Sequence, residues 1–304
     1  MSKRVNVGGQ AVIEGVMMRG QAATATAVRK PDGEIIVKKD EIIPLGKRYK
    51  ILALPLIRGF VNLIESLVIG IKALNYSSTF FEDDEDAKES KIDQWMTRVF
   101  KDKTGDVLIG ISLVLSLIFS MLLFFILPTT AANIFKKIGI ENVLLLNILE
   151  GVIRVGIFLA YIYLIGKMGD IKRVFQYHGA EHKTIFCYEN GVELTPENAQ
   201  RFGRLHPRCG TNFMFLVMIV SIVLFTFTGW GNYLERIFFR LLLLPVVSGV
   251  TYEIIRWMGK SEGKLSKIMS YPGLMLQKLT TKEPDLEQLE VAIASLKAAE
   301  GIEE

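Results

Sequence analysis

The chain has 304 residues, of which 50% are hydrophobic and 22% charged, with a net charge of +4; ordinary soluble domains are about 45–50% apolar and about 25% charged. The apolar excess is gathered in blocks separated by stretches as charged as a soluble protein, which excludes one evenly built globular domain. A surplus of +4 predicts no nucleic-acid partner and suits anionic headgroups, while two cysteines, Cys187 and Cys209, are too few to staple a secreted fold.

The start, MSKRVNVGGQAVIEG, has no continuous apolar run, so no cleaved leader is expected and delivery falls to internal helices. Gly8, Gly9, Gly15 and Gly20 cluster in GGQAVIEGVMMRG. The spacing is neither G-x-G-x-x-G nor a P-loop, and a tight turn packing on the membrane domain is preferred over a ligand loop. Residues 22 to 43 alternate as two strands around Pro31-Asp32-Gly33, a hairpin signal because Pro fixes φ and Gly accepts positive φ. Residues 1–50 are therefore read as a small cytoplasmic β-hairpin region.

Next comes LPLIRGFVNLIESLVIGIKAL, interrupted by Pro55, Arg58, Glu65 and Lys72. A crossing here would carry the basic N-terminal region outward, so residues 51–75 are expected to lie in the interface or re-enter from one side. Residues 76–106, with FEDDEDAKES, read as an acidic linker.

Val107 to Leu127 is free of charge and long enough for a hydrocarbon core of roughly 30 Å. Asn142 to Gly166, Asn212 to Trp230 and Ile237 to Trp257 complete the expectation of about four transmembrane helices, paired as hairpins over residues 107–166 and 212–258. Lys and Arg crowd the segment before residue 51 and the loop 167–211, whereas the hairpin loops hold only Lys136, Lys137 and Arg236. Basic loops stay inside, so both termini are placed in the cytoplasm and the chain is read as an α-helical polytopic protein of the cytoplasmic membrane. The tail, 259–304, ends in a helix from Asp285 whose Leu286, Leu289, Val291, Ile293 and Leu296 are expected to pack on the cytoplasmic core.

All three histidines lie in the middle loop, in YHGAEHKTIFCYENG and LHPRCGT. With Ile171 to Tyr188 helical and Asn190-Gly191 as C-cap, His178 and His182 stand one turn apart on one face, the spacing at which two imidazoles reach one ion. Glu181 makes the string H-x-x-E-H, in which such a carboxylate activates water. Glu189 returns to the same side as a supporting residue beside Arg208; Cys187 points away. Thr195-Pro196 starts a short helix ending near Gly203, whose return brings His206 and Cys209 back. Histidines 178, 182 and 206 with Cys209 then form a candidate site for a divalent transition metal, zinc or iron(II) rather than magnesium. The competing reading has these histidines and Arg201, Arg204 and Arg208 binding lipid headgroups or backbone. Within the second span, Glu150 and Arg154 are one turn apart, and an ion pair facing the bundle interior accounts for them without transport.

GGQAVIEGVMMRG, PLIRGFVNLIESL, YHGAEHKTIFCYE, LHPRCGTNF and TTKEPD, in this order, resemble the YqhQ-like family of bacterial membrane proteins. The resemblance covers nearly the whole chain and implies a family of unknown function labelled a predicted metal-dependent enzyme. Three functions stay open. One is a metal-dependent, hydrolytic enzyme at the cytoplasmic membrane surface, with Glu181 as base and a lipid, prenyl or membrane-peptide substrate. The others are a scaffold or assembly factor with a structural metal, and a channel or transporter lined by Glu150 or Glu253.

Overall fold

The structure, a computed structural model, describes residues 7–41, 45–81, 104–229, 231–261 and 263–302. It divides into an apolar helical bundle and an α/β unit built from the two ends and the middle of the chain.

Four antiparallel strands, β1 (Gly8–Val12), β2 (Gly15–Arg19), β3 (Thr24–Arg29) and β4 (Ile35–Asp40), pair in sequence order. The expected single hairpin is thus only half of the sheet. The glycine-rich segment is itself a hairpin, β1 with β2, turning at Ile13-Glu14 where Glu14 takes φ 47°. In β2 and β3 the period-2 pattern is hidden because both faces are covered. Val16, Met18, Ala25 and Ala27 form one buried face, and Met17 and Val28 belong to the other.

The second face is covered by α1 (Ile57–Ser78) through Ile69 and Ala73. This helix occupies the segment expected to be interfacial or re-entrant, and it keeps Ile64, Leu67, Val68 and Ile71 exposed. Its buried Glu65 accepts a 2.6 Å hydrogen bond from the Leu45 amide, which explains a carboxylate on an otherwise apolar run. The expected linker lies largely outside the described residues, from 82 to 103, and α1 takes up its first residues.

Helix α2 joins Thr104–Met121 and Leu127–Lys137 through a π-helical turn at Leu122–Ile126. Pro128 explains the turn: lacking an amide and crowding the carbonyl four residues back, it frees the oxygen of Phe124. That carbonyl accepts a 3.0 Å hydrogen bond from Arg154 Nε on α3 (Val143–Ile165). Then follow α4 (Gly169–Glu189), α5 (Pro196–Gln200), α6 (Gly210–Phe225), α7 (Tyr233–Lys260), α8 (Lys264–Thr280) and α9 (Leu286–Glu300). Close α1–α7 packing rests on small residues, since a Cβ on Gly59 would sit 2.8 Å from the Gly249 Cα.

Among the described residues, three helices are long and apolar enough to cross a membrane, Gly110–Lys137, Val143–Ile165 and Leu234–Gly259. The predicted span Asn212 to Trp230 falls short of expectation: α6 has 16 residues and gives way to a 3₁₀ turn at Thr226–Thr228. At about 1.5 Å per residue it is shorter than the roughly 30 Å hydrocarbon core.

The C-terminal helix closes the α/β unit. Asp285 and Gln288 form a capping box and Gly301 ends α9 in the left-handed region at φ 70°. Leu289, Val291, Ile293 and Leu296 are buried against the first sheet face and α4, whereas Leu286 is exposed.

Candidate metal centre

The centre starts from α4, which ends at Asn190 and Gly191 (φ 66°) as the sequence suggests. One helical turn brings the rings of His178 and His182 to 4.5 Å between centroids. Thr195 caps α5, accepting from the Asn198 amide, and the chain returns so that Cys209 becomes the N-cap of α6. Gln277 of α8 clamps the returning loop at both backbone atoms of His206, 2.8 Å each. Lys183 reaches the carbonyls of Gln200 and Phe202 at 2.9 and 2.7 Å.

The structure brings His178, His182 and Cys209 together, with ligand atoms within 4.8 Å of one another. His178 Nδ1 lies 2.9 Å from the Thr280 carbonyl and His182 Nδ1 lies 2.6 Å from that of Arg204. A carbonyl only accepts, so each Nδ1 carries the proton and each Nε2 keeps its lone pair. His178 Nε2 is 3.1 Å from Cys209 Sγ. His182 Nε2 is buried and has no hydrogen-bond partner. Backbone carbonyls that fix the tautomer of a histidine are the usual support of metal-ligating imidazoles, and burial lowers the proton affinity of His182 further. Two imidazole nitrogens and one thiol suit zinc or iron(II).

His206 is placed differently from the four-ligand expectation. Its ring is 5.6 Å from that of His182 and packs on Phe186, while its Nε2 faces Glu189 at 3.6 Å. Glu189 pairs with Arg208, so these two supporting candidates serve each other and His206. Burial lowers the His206 pKa to about 4. Cys187 points away, as helical spacing predicts, donating weakly to Val192 and Glu193 carbonyls.

Glu181 and the centre open on one cavity of about 580 Å³, lined among others by His178, Glu181, Cys209, Gly9 and Thr211. Burial raises the Glu181 pKa, with partial compensation from His178, His206 and the Gly9 amide. A buried carboxyl of raised basicity is suited to take a proton near neutral pH. The part of β1 was invisible to sequence reasoning, which preferred a structural turn there. Gly9 admits the carboxyl because a Cβ would stand 3.1 Å from Glu181 Cδ and 2.5 Å from the Met17 oxygen. The cluster of Gly8, Gly9, Gly15 and Gly20 was its signal in the sequence. The carbonyls of Thr280 and Arg204 left no signal, since any residue type supplies one.

In the bundle, Glu150 does pair with Arg154, at 2.7 Å, but the pair is part of a larger cluster. Arg236 and Arg240 of α7 also contact its carboxylate, and Thr129 donates to it at 3.0 Å. Arg240 lies within the predicted span Ile237 to Trp257. Glu253 is bound at both oxygens by Arg58 of α1, at 2.6 and 2.5 Å.

Comparison with known proteins finds a family model described as "Protein of unknown function (DUF1385)" matching residues 54–301. The chain is 37% identical over 293 residues to "Uncharacterized protein YqhQ" of Bacillus subtilis (strain 168), covering 95% of this chain and 90% of that one. Neither description carries a metal or an activity. No solved structure matches the chain.

Proposed function

This chain belongs to the DUF1385 family, whose function is not established, and from that premise we propose a multi-pass membrane protein with a metal-dependent hydrolytic centre at the cytoplasmic surface. His178, His182 and Cys209 would hold one divalent transition metal, zinc by ligand type. The observation that carries the proposal is a pair of carbonyl-fixed imidazoles whose ligand atoms lie within 4.8 Å of each other and of the Cys209 thiol.

Topology supports four crossings, including the short α6. The sheet, α4 and α9 share one core, so they lie on the same side of any membrane. Between α4 and α9 the chain passes through α7, and a crossing by α7 requires a compensating crossing by α6. Basic residues concentrate in the segments of this shared unit, which supports placing it in the cytoplasm.

The chemistry that such an ion supplies when bound is Lewis acidity and the activation of water near neutral pH. The residues of the chain do the rest. Thr280 and Arg204 orient the imidazoles, Gly9 donates to Glu181 and fixes it in the cavity wall, and Glu181 takes the proton of the attacking nucleophile. A scaffold with a structural metal is favoured by one observation, the dense ties of the loop to α4 and α8. Commitment of Glu150 and Glu253 to arginines counts against a path lined by them.

Elemental analysis of the purified full chain tests the centre. About one zinc or iron per chain is expected in the wild type and in Glu181→Gln. A wild type free of metal would end the enzymatic reading, and a Glu181→Gln variant that supports function in cells as well as the wild type would favour the scaffold.

A further inference from the structure

We infer that the cavity at the metal centre takes a lipid substrate, with its polar head at His178, Glu181 and Cys209 and one hydrocarbon chain laid between α1, α6 and α7. The inference rests on the enzymatic reading above and names the substrate class of that site.

The cavity of about 580 Å³ holds the reactive groups His178, Glu181 and Cys209, and Gln10, Asn62, Ser66, Thr211 and Tyr252 add further polar side chains to its wall. Leu63, Phe213 and Met214 belong to its apolar wall, and these three residues also line a second cavity of about 330 Å³. That second space continues into the bundle between Phe158, Val217, Leu244 and Val247, and the Arg154 beside it is committed to Glu150 and to the Phe124 carbonyl. Each volume lies in the range of small-molecule pockets, roughly 300–1,000 Å³. Of two cavities with shared walls, the one with the reactive groups also holds most of the polar side chains and the other is lined almost wholly by apolar ones, and an amphiphile with one long chain matches that division.

An extended peptide does not match it. Each of its residues brings an amide and a carbonyl that need partners in an apolar surrounding. Ser248, a hydroxyl on the apolar wall, already donates to the carbonyls of Leu244 and Pro245. A hydrocarbon chain asks for no partner at all.

The test uses the full chain in phosphatidylglycerol and phosphatidylethanolamine nanodiscs with a diazirine-bearing palmitate as probe. On irradiation, labelling at Leu63, Met214 and Val217 is expected to exceed that at Leu115 and Leu117, which are exposed on α2, by at least tenfold, and to fall when unlabelled palmitate is added. Labelling no greater than on α2, or insensitive to palmitate, would overturn the inference, because ordinary bilayer lipid then fills the groove. Competition by hexaleucine but not by palmitate would overturn it in favour of a peptide. Val217→Trp, or Leu244→Trp from the facing helix, is expected to cut corridor labelling at least tenfold while metal content stays at the wild-type level. The wild-type map decides the matter even where neither variant folds. Metal content separates the two failures: a metal-loaded protein without corridor labelling sinks the lipid inference alone, and a labelled protein without metal sinks the enzymatic reading.

Discussion

His178 Nε2 lies 3.1 Å from Cys209 Sγ although the two residues are 31 positions apart, and the contact exists because α5 folds the loop back onto α4. Removing any one of three ligands should then empty the centre. His178→Ala, His182→Ala and Cys209→Ala are each expected to lose stoichiometric metal on elemental analysis, whereas His206→Ala keeps it. Loss of metal in the His206 variant would restore the four-ligand set read from the sequence.

Gly179 faces the segment that supplies the Thr280 carbonyl, and a Cβ there would stand 2.1 Å from the oxygen of Lys282. Gly179→Ala must push this segment away and take the support of His178 with it. A tenfold to hundredfold loss of metal affinity is expected, on the scale of lost outer partners of ligating histidines, about 10–100-fold. Competition with a chromophoric chelator measures it, and an affinity equal to wild type would separate the Thr280 contact from metal binding.

Gly9→Ala tests the packing of β1 on the catalytic candidate. Overpacking against Met17, Met18 and Glu181 is expected to cost about 1–3 kcal/mol. Gly8→Ala, next to it, meets nothing within 4 Å and serves as the control. Thermal unfolding of the two variants in the same detergent should differ by several degrees; equal midpoints would show that β1 yields without cost.

Glu150 is 1% exposed and sits among three arginines. Glu150→Gln leaves buried cations without their counter-charge, a change that typically costs about 3–5 kcal/mol. Glu253→Gln breaks a partly solvated pair with Arg58, 23% and 29% exposed, and should cost no more than about 1 kcal/mol. The ordering of their unfolding temperatures is the readout, and a Glu150 variant as stable as the Glu253 variant would remove the cluster from the determinants of the bundle.

Acid should destabilise the metal-free protein through His206, whose pKa lies at about 4 against an ordinary 6.5. Between these values the unfolded chain binds a proton that the native one does not. The associated stability is complete above pH 6.5 and is lost as pH falls toward 4, on the order of 3 kcal/mol for the full window. Glu189 does not rescue the charged form because Arg208 already neutralises it. His182, also shifted down by burial, adds a slope of the same sign, so His206→Gln should remove part of the pH dependence. Chelator-treated wild type and variant are compared by thermal unfolding at pH 7 and pH 4.5; parallel shifts would exclude His206 as the titrating group.

Sequence periodicity made much of this architecture legible. The 3.6-residue spacing of His178 and His182, the Asn190-Gly191 stop and the Thr195-Pro196 start are local signals, and the helices follow them. Three of the four predicted spans coincide with long apolar helices. Length misled in the fourth, because the apolar run from Asn212 continues past Phe225 into a 3₁₀ turn and Gly229. The sheet was half visible. Gly15–Arg19 and Thr24–Arg29 lack polar alternation because α1 and α9 bury opposite faces of the sheet, and neither helix announces that contact locally. Arginines 236 and 240 were unreadable as partners of Glu150 for the same reason, being set there by tertiary packing across 86 and 90 positions.

Ser295 Oγ of α9 donates to the carbonyl of Ala25 across 270 positions. Strands β2 and β3 therefore wait for a helix made 270 positions later, and on the proposed topology the spans between them are inserted in the meantime. At about 5–20 residues per second, the interval spans many seconds in which Val16 and Met18 have no cover. Biogenesis is thus ordered by the fold: on the proposed topology bilayer integration comes first, and the α/β unit, with the Gly9 contact to Glu181, matures only once α9 has been made. A nascent chain stalled before residue 285 should remain protease-sensitive at its N-terminal strands.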